Sequence, residues 1–172
     1  MSVQTTYTTS PAIALEGQRY PTQGEDIISM VNREASAEMD FGLAVVWEVP
    51  EGGTEDAGAL APDAIDEIVA GILVHSHAYA KPDQLGDDGV KPGEKLSVMR
   101  KGKIWVKPED AVAPGDRLFI RAVVAGGERE GAVRMSADST DCIDSTGQGV
   151  FLTSAGAGEL ALLEVDFTNL AA

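Results

Sequence analysis

Several things are scarce in this chain: it has one cysteine, two histidines, 5% aromatic residues and 13 lysines plus arginines in 172 residues. The single Cys142 cannot close an internal disulfide. The N-terminus, Met1 to Thr9, lacks the basic, apolar, small-residue order of a secretory signal, and both facts favour folding in a reducing cytoplasm. The longest apolar run, Ile68 to Val74, is interrupted by Gly71 and falls far short of the roughly 20 residues that cross a bilayer, so no membrane is expected as a partner. Against the 13 basic residues stand 28 acidic ones, and a formal net charge of −15 repels phosphate backbones and anionic headgroups. Nucleic acid is therefore not an expected partner. G-x-S-x-G, P-loop, G-x-G-x-x-G and C-x-x-C patterns are missing, so no catalytic residue and no cofactor is expected.

What is present is 44% apolar residues, enough for a real core, in a length for which one domain is the default. The segment V-x-P-G-[ED]-[KR]-L occurs twice, as Val90 to Leu96 and Val112 to Leu118, each time before an alternating apolar run. Pro fixes φ near −65° and the following Gly admits φ > 0, so each copy reads as a tight turn launching a strand. The fold class this predicts is all-β: a single-domain β-barrel or β-sandwich meander, without helices, preceded by an extended N-terminal arm. Residues 1–25, rich in Thr, Gln, Pro and Gly, with Val3, Thr5 and Tyr7 alternating, form that arm, suited to pairing with an edge or another chain; residues 26–172 form the domain. Within it, strands are expected at Ile27 to Val31 and at Phe41 to Trp47, the latter buried on both faces, followed by a surface loop from Pro50 to Pro62. Ile68 to Tyr79 reads as a strand with at most one helical turn before it. Further strands are expected at Lys95 to Met99 and Lys103 to Lys107, split by a Gly turn, and at Arg117 to Val124 and Gly131 to Met135. After a loop from Ser136 to Gly149 come Val150 to Thr153 and Glu159 to Phe167, where the doubled Leu162-Leu163 suggests a β-bulge.

Candidate chemistry is thin. His75 and His77, two apart in a strand, project from one face and could ligate one metal, as at the start of a cupin site. A cupin needs a Glu a few residues on, where this chain has Lys81-Pro82-Asp83, and a third His that does not exist here. Two histidines on the solvent side of a strand are the plainer reading, with a cupin-like metal enzyme using His75 and His77 as the alternative. Asp138, Asp141 and Asp144 are spaced by three, not by the two of an EF-hand loop, and read as a solvated acidic loop. Glu109-Asp110 reads likewise as a turn that keeps its loop soluble. Cys142, between Asp141 and Asp144, is in a poor setting for a thiolate nucleophile. A carbohydrate-binding β-sandwich is a third class, but it wants an exposed aromatic platform that so few rings hardly supply. Trp47 and Trp105 read as core residues in apolar strands, with Trp105 also a candidate interface anchor, because Trp is enriched in interface hot spots.

Gln4-Thr5-x-Tyr7, Phe41-Gly-Leu-Ala-Val45, the block Gly102-Lys-Ile-Trp-Val106 to Val112-x-x-Gly-Asp116, and Gly158-Glu-Leu-Ala161 with Glu164 resemble, in order and spacing, the structural cement or decoration proteins of tailed-bacteriophage capsids. The resemblance implies a β-rich protein without catalysis, made in the host cytoplasm. It implies assembly as a homotrimer on the outer capsid surface of the virion, with the major capsid protein as partner, clamping neighbouring subunits. Beside it, the alternating residues of the arm, Val3, Thr5 and Tyr7, and Trp105 are the interface candidates. The loops Pro50 to Pro62 and Asp83 to Gly93 fall outside its pattern.

Overall fold

A computed structural model of the chain describes residues 14–48, 57–76, 89–124, 126–138 and 140–169. Among them are eleven strands and no helix: β1 Arg19–Tyr20, β2 Asp26–Asn32, β3 Ala44–Glu48, β4 Gly58–Leu60, β5 Val69–Leu73, β6 Lys95–Val106, β7 Phe119–Arg121, β8 Val133–Arg134, β9 Cys142–Asp144, β10 Gly149–Phe151 and β11 Ala161–Asp166.

The turns that launch these strands share one local design. Residues 91–94 and 113–116, the two Pro-Gly copies, each close with an i→i+3 backbone bond, Glu94 N to Lys91 O at 3.1 Å and Asp116 N to Ala113 O at 3.1 Å. In each, the acid at the fourth position also accepts a bond from the first residue's N–H: Lys91 N to Glu94 Oε2 at 3.2 Å, and Ala113 N to Asp116 Oδ2 at 2.7 Å. Gly93 and Gly115 take φ of 79° and 94°, the conformation that a type II turn demands at its third residue. The same side-chain cap, without proline, recurs at 15–18 through Gln18, at 22–25 through Glu25 and at 156–159 through Glu159. β1, β2, β6 and β11 each begin within two residues of such a turn.

Strand pairing then departs from chain order. β6, β2, β4, β3 and β5 close into a five-stranded ring, with β2–β4 parallel and β5 returning to β6. Every ring strand sends a side chain inside: Met30, Ala59, Val45, Ala70 with Leu73, and Leu96 with Val98 form one cluster. β6 is long enough to leave the barrel. Its first half pairs with β2 and β5, and its second half pairs with β1 on one side and β11 on the other. The switch occurs at a bulge where Asp26 opposes Lys101 and Ile27 opposes Met99, leaving Arg100 unmatched. A bulge reverses the in–out alternation, so Leu96 and Val98 face the barrel interior while Ile104 and Val106, at the same parity, join a second cluster outside it. That second cluster lies between the outer side of β3 and β5, the β10–β11 hairpin and a separate small sheet of order β8–β7–β9. Gly71 permits the close contact of β5 with β6: a Cβ there would stand 2.3 Å from Met99 O.

The structure is all-β and single-domain, as expected from the sequence, and of the barrel and sandwich left open there it takes the barrel. The meander is not, because only β3–β4, β5–β6, β7–β8 and β10–β11 join strands adjacent in sequence. Lys95 to Lys107 is not split by a turn at Gly102; β6 runs through it continuously. Leu162-Leu163 forms no bulge, since Ala161 to Asp166 stays in unbroken register with Val106 to Lys101. The regions 136–149 and 50–62 are not all surface loop, because the first contains β9 and the second contains β4, a largely buried strand of the ring. β5 ends at Leu73, and the expected strand's end, 77–79, lies outside the described residues. Of the segment 1–25, the described part pairs β1 with β6 of the same chain, while Val3, Thr5 and Tyr7 lie outside the described residues.

Candidate contact surface

The second half of β6 organises one face of the molecule. Residues paired directly across an antiparallel ladder project to the same side, so Tyr20, Lys103, Glu164 and Val150 form one row across β1, β6, β11 and β10. In the next rows Lys101 stands beside Asp166 and Trp105 beside Leu162. Lys101 Nζ lies 2.7 Å from Asp166 Oδ2, and Lys103 Nζ lies 4.0 Å from Glu164 Oε1. The Lys101 ammonium, helped by the Thr168 hydroxyl and N–H, holds the Asp166 carboxyl down at about 2, well below the ordinary 3.8. Tyr20 is 48% exposed, and Trp105 is half-buried. A groove of about 540 Å³ runs over this face between the β1–β2 turn at 22–24 and the turn at 147–149.

Trp105 is therefore neither a core side chain nor a free one. Its backbone is held on the β1 side, where Gly17 N donates to Trp105 O at 2.7 Å and Trp105 N donates to Gln18 O at 2.9 Å. Trp47, likewise half-buried, packs against the barrel-interior cluster.

A second feature, invisible in the sequence, lies on the outer face of the small sheet. Arg121 on β7 and Arg134 on β8 are 3% and 8% exposed. Arg121 Nε donates to both oxygens of Glu109, at 3.0 and 2.8 Å, and its Nη2 donates to Asp138 at 2.9 Å. Arg134 Nη1 reaches Glu109 and Asp138, both at 3.2 Å, and Nη2 reaches Asp110 at 3.3 Å. Burial works against the Arg121 charge, but its bonds to Asp138 and Glu109 raise its pKa above the usual guanidinium value. The Arg121 bond and the Arg134 charge hold the Asp138 carboxyl below its ordinary range. The readings of Asp138 and of Glu109-Asp110 as merely solvated are corrected: all three carboxylates pin two buried arginines. The arginines lie on neighbouring strands and the acids in two separate loops, so no local spacing announces them. Asp144, at the end of β9, instead bonds Thr146 N at 2.9 Å, and its pKa is lowered by that residue's hydroxyl and N–H.

His75 follows β5, its ring centroid 4.7 Å from that of Phe41 and its N–H bonded to Gly17 O at 2.7 Å. His77 lies outside the described residues, and among those described no group of three or more His, Cys, Asp or Glu side chains is arranged to hold a metal. Cys142 is free and half-buried, directly across the ladder from Arg121.

Comparison with known proteins agrees with this architecture. A family model described as structural cement protein (E217 gp24/Pam3 gp6) matches residues 3–166. A chain of the solved capsid of Myoviridae phage XM1 superposes with a TM-score of 0.68 at 14% identity, covering 96% of this chain and 98% of that one. At that identity the likeness is one of fold. The N base of head fiber gp8.5 of bacteriophage phi29 aligns at a TM-score of 0.43 and 14% identity, over 86% of this chain and 99% of that one. No match is found among curated proteins.

Proposed function

Because the chain belongs to the phage structural cement protein family, we propose that this capsid-associated protein of the virion binds the outer surface of the head and clamps neighbouring major capsid subunits. The observation that carries the reading is the family match over residues 3–166, nearly the whole chain. It works without catalysis, as a homotrimer whose contacts with other subunits involve Val3, Thr5, Tyr7 and Trp105, and it is made in the host cytoplasm. Physical features support a contact role. The ring of strands gives a stiff body, the buried arginine cluster fixes the loops around the small sheet, and one sheet face presents Tyr20 and Trp105 beside balanced charges. A net charge of −15 keeps such a body off the packaged genome.

The test is binding to heads. Full-length chain is added to expanded capsids that lack it; it should co-sediment at a fixed stoichiometry and raise the temperature at which the shells come apart. Failure to co-sediment, or binding that leaves that temperature unmoved, would refute the clamp. Light scattering on the free protein should give three chain masses.

A further inference from the structure

We propose that the groove on the outer face of the β1–β6–β11–β10 sheet receives residues 1–13 of a second copy of this chain, so that copies are joined by exchanged arms; this rests on the reading above of a self-associating capsid protein. Two bodies that each carry −15 repel one another, so contact needs a segment and a surface without net charge. The chain has such a segment: Met1 to Leu15 contains no charged side chain, and the first is Glu16. The groove is such a surface, because its two ammonium groups, Lys101 and Lys103, are matched one for one by Asp166 and Glu164.

Its shape suits an extended segment. Gly24 on one wall and Gly147 on the other each have open space where a side chain would stand, so an arriving backbone can approach both walls closely. Beyond Lys103 on the same face, half-buried Trp105 beside Leu162 offers an apolar seat for Val3 or Tyr7. Thirteen extended residues reach about 43 Å at about 3.3 Å each, ample to cross four strands spaced about 4.8 Å apart.

The point where the arm leaves favours a neighbour's groove over the chain's own. Ala14 is buried, and the 15–18 turn is clamped at Gly17, which donates to Trp105 O and accepts from His75 N, both at 2.7 Å. A hairpin return along β1 would pair Ala14 with Arg19, whose backbone groups point away from β6 in this register; no such pairing exists among the described residues. The described chain thus begins beside the β1 edge of the sheet. Donation of an arm to the next copy is a head-to-tail contact, the kind that closes into a ring.

The experiment uses full-length chains in a Cys142→Ser background. Chains with Thr5→Cys and chains with Glu164→Cys are refolded together, oxidised mildly and run on a non-reducing gel. A disulfide-linked heterodimer is expected, well above a control pairing of Thr5→Cys with Asp66→Cys on the loop before β5. A link no stronger than the control overturns the proposal. So does a Thr5→Cys/Glu164→Cys double variant that links only within its own chain. Capsid co-sedimentation is read separately with the unmodified protein: binding to heads without the arm link removes this inference alone, whereas failure to bind heads removes the cement reading.

Discussion

At β5 five consecutive residues, Val69 to Leu73, are buried, with Ala70 and Leu73 inside the barrel and Val69 and Ile72 packed outside it. On the outer face of the β7–β8–β9 sheet, what is buried instead is a pair of guanidinium groups, hidden behind Glu109, Asp110 and Asp138. The first region excludes water with groups that have nothing to lose by leaving it. The second must recover a desolvation cost through five arginine–carboxylate ion pairs, and in return it fixes which loop lies where. Apolar packing tolerates any partner of the right shape, whereas the arginines accept only carboxylates at the right distance. The wall between the clusters therefore carries stability, and the charged face carries the placement of the 109–110 and 136–138 loops.

That contrast can be broken most severely from the apolar side. Leu73→Ala should destabilise the fold by about 3–4 kcal/mol, because a fully buried side chain leaves a cavity that the closed ring cannot collapse to fill. Denaturant unfolding would measure it, and a loss under 1 kcal/mol would show the barrel interior to be plastic. Arg121→Met should cost less, about 2 kcal/mol, since Arg134 still reaches Glu109 and Asp138 after the change. The two losses should also respond differently to acid. Asp138 has a folded pKa below its unfolded value, so the stability it contributes is present above about pH 4 and disappears as pH falls through the lower folded value. The Arg121→Met penalty should accordingly shrink as the pH is taken down through the depressed Asp138 pKa, while the Leu73→Ala penalty stays level. Equal shrinkage in both would mean that the cluster is not the acid-sensitive element. Smallest of all is Glu130→Gln. Burial, then the charges of Glu34 and Asp63, raise the Glu130 pKa, so its ionisation near neutral pH opposes folding. The variant should be slightly the more stable at pH 7, by an amount that solvent screening of this exposed side chain keeps small, and that gain should fade as acid protonates the wild-type residue.

Much of the local structure could be read in advance. The Pro-Gly pairs at 92–93 and 114–115 foretold turns before strands, and the structure adds that the acid after each Gly is the cap that makes the turn recur, including at sites with no proline. The strand expected at Phe41 to Trp47 begins only at Ala44, but its burial on both faces was legible because its apolar residues do not alternate, and β3 is buried at Ala44, Val45 and Val46 alike. β9 was missed because Cys142-Ile143-Asp144 is short and set among acids, the composition of a loop. The break expected at Gly102 was wrong because a glycine within a strand marks a bend or close approach as often as a turn. On the candidate surface, Trp105 was flagged as a contact, but Lys103 and Glu164 figured only in the family resemblance and Lys101 and Asp166 not at all, since their balance exists only once β6 and β11 lie side by side.

The sequence by itself determined the all-β class, the turns, the position of most strands and the acidic, disulfide-free character of the chain. These follow from residues a few positions apart, whose φ preferences and alternation act locally. Tertiary structure alone decided that β2 pairs in parallel with β4, that β6 serves both barrel and outer sheet, and that two arginines are buried among three acids. Each of these joins residues far apart in the chain, where the interaction energy depends on geometry that no local spacing encodes.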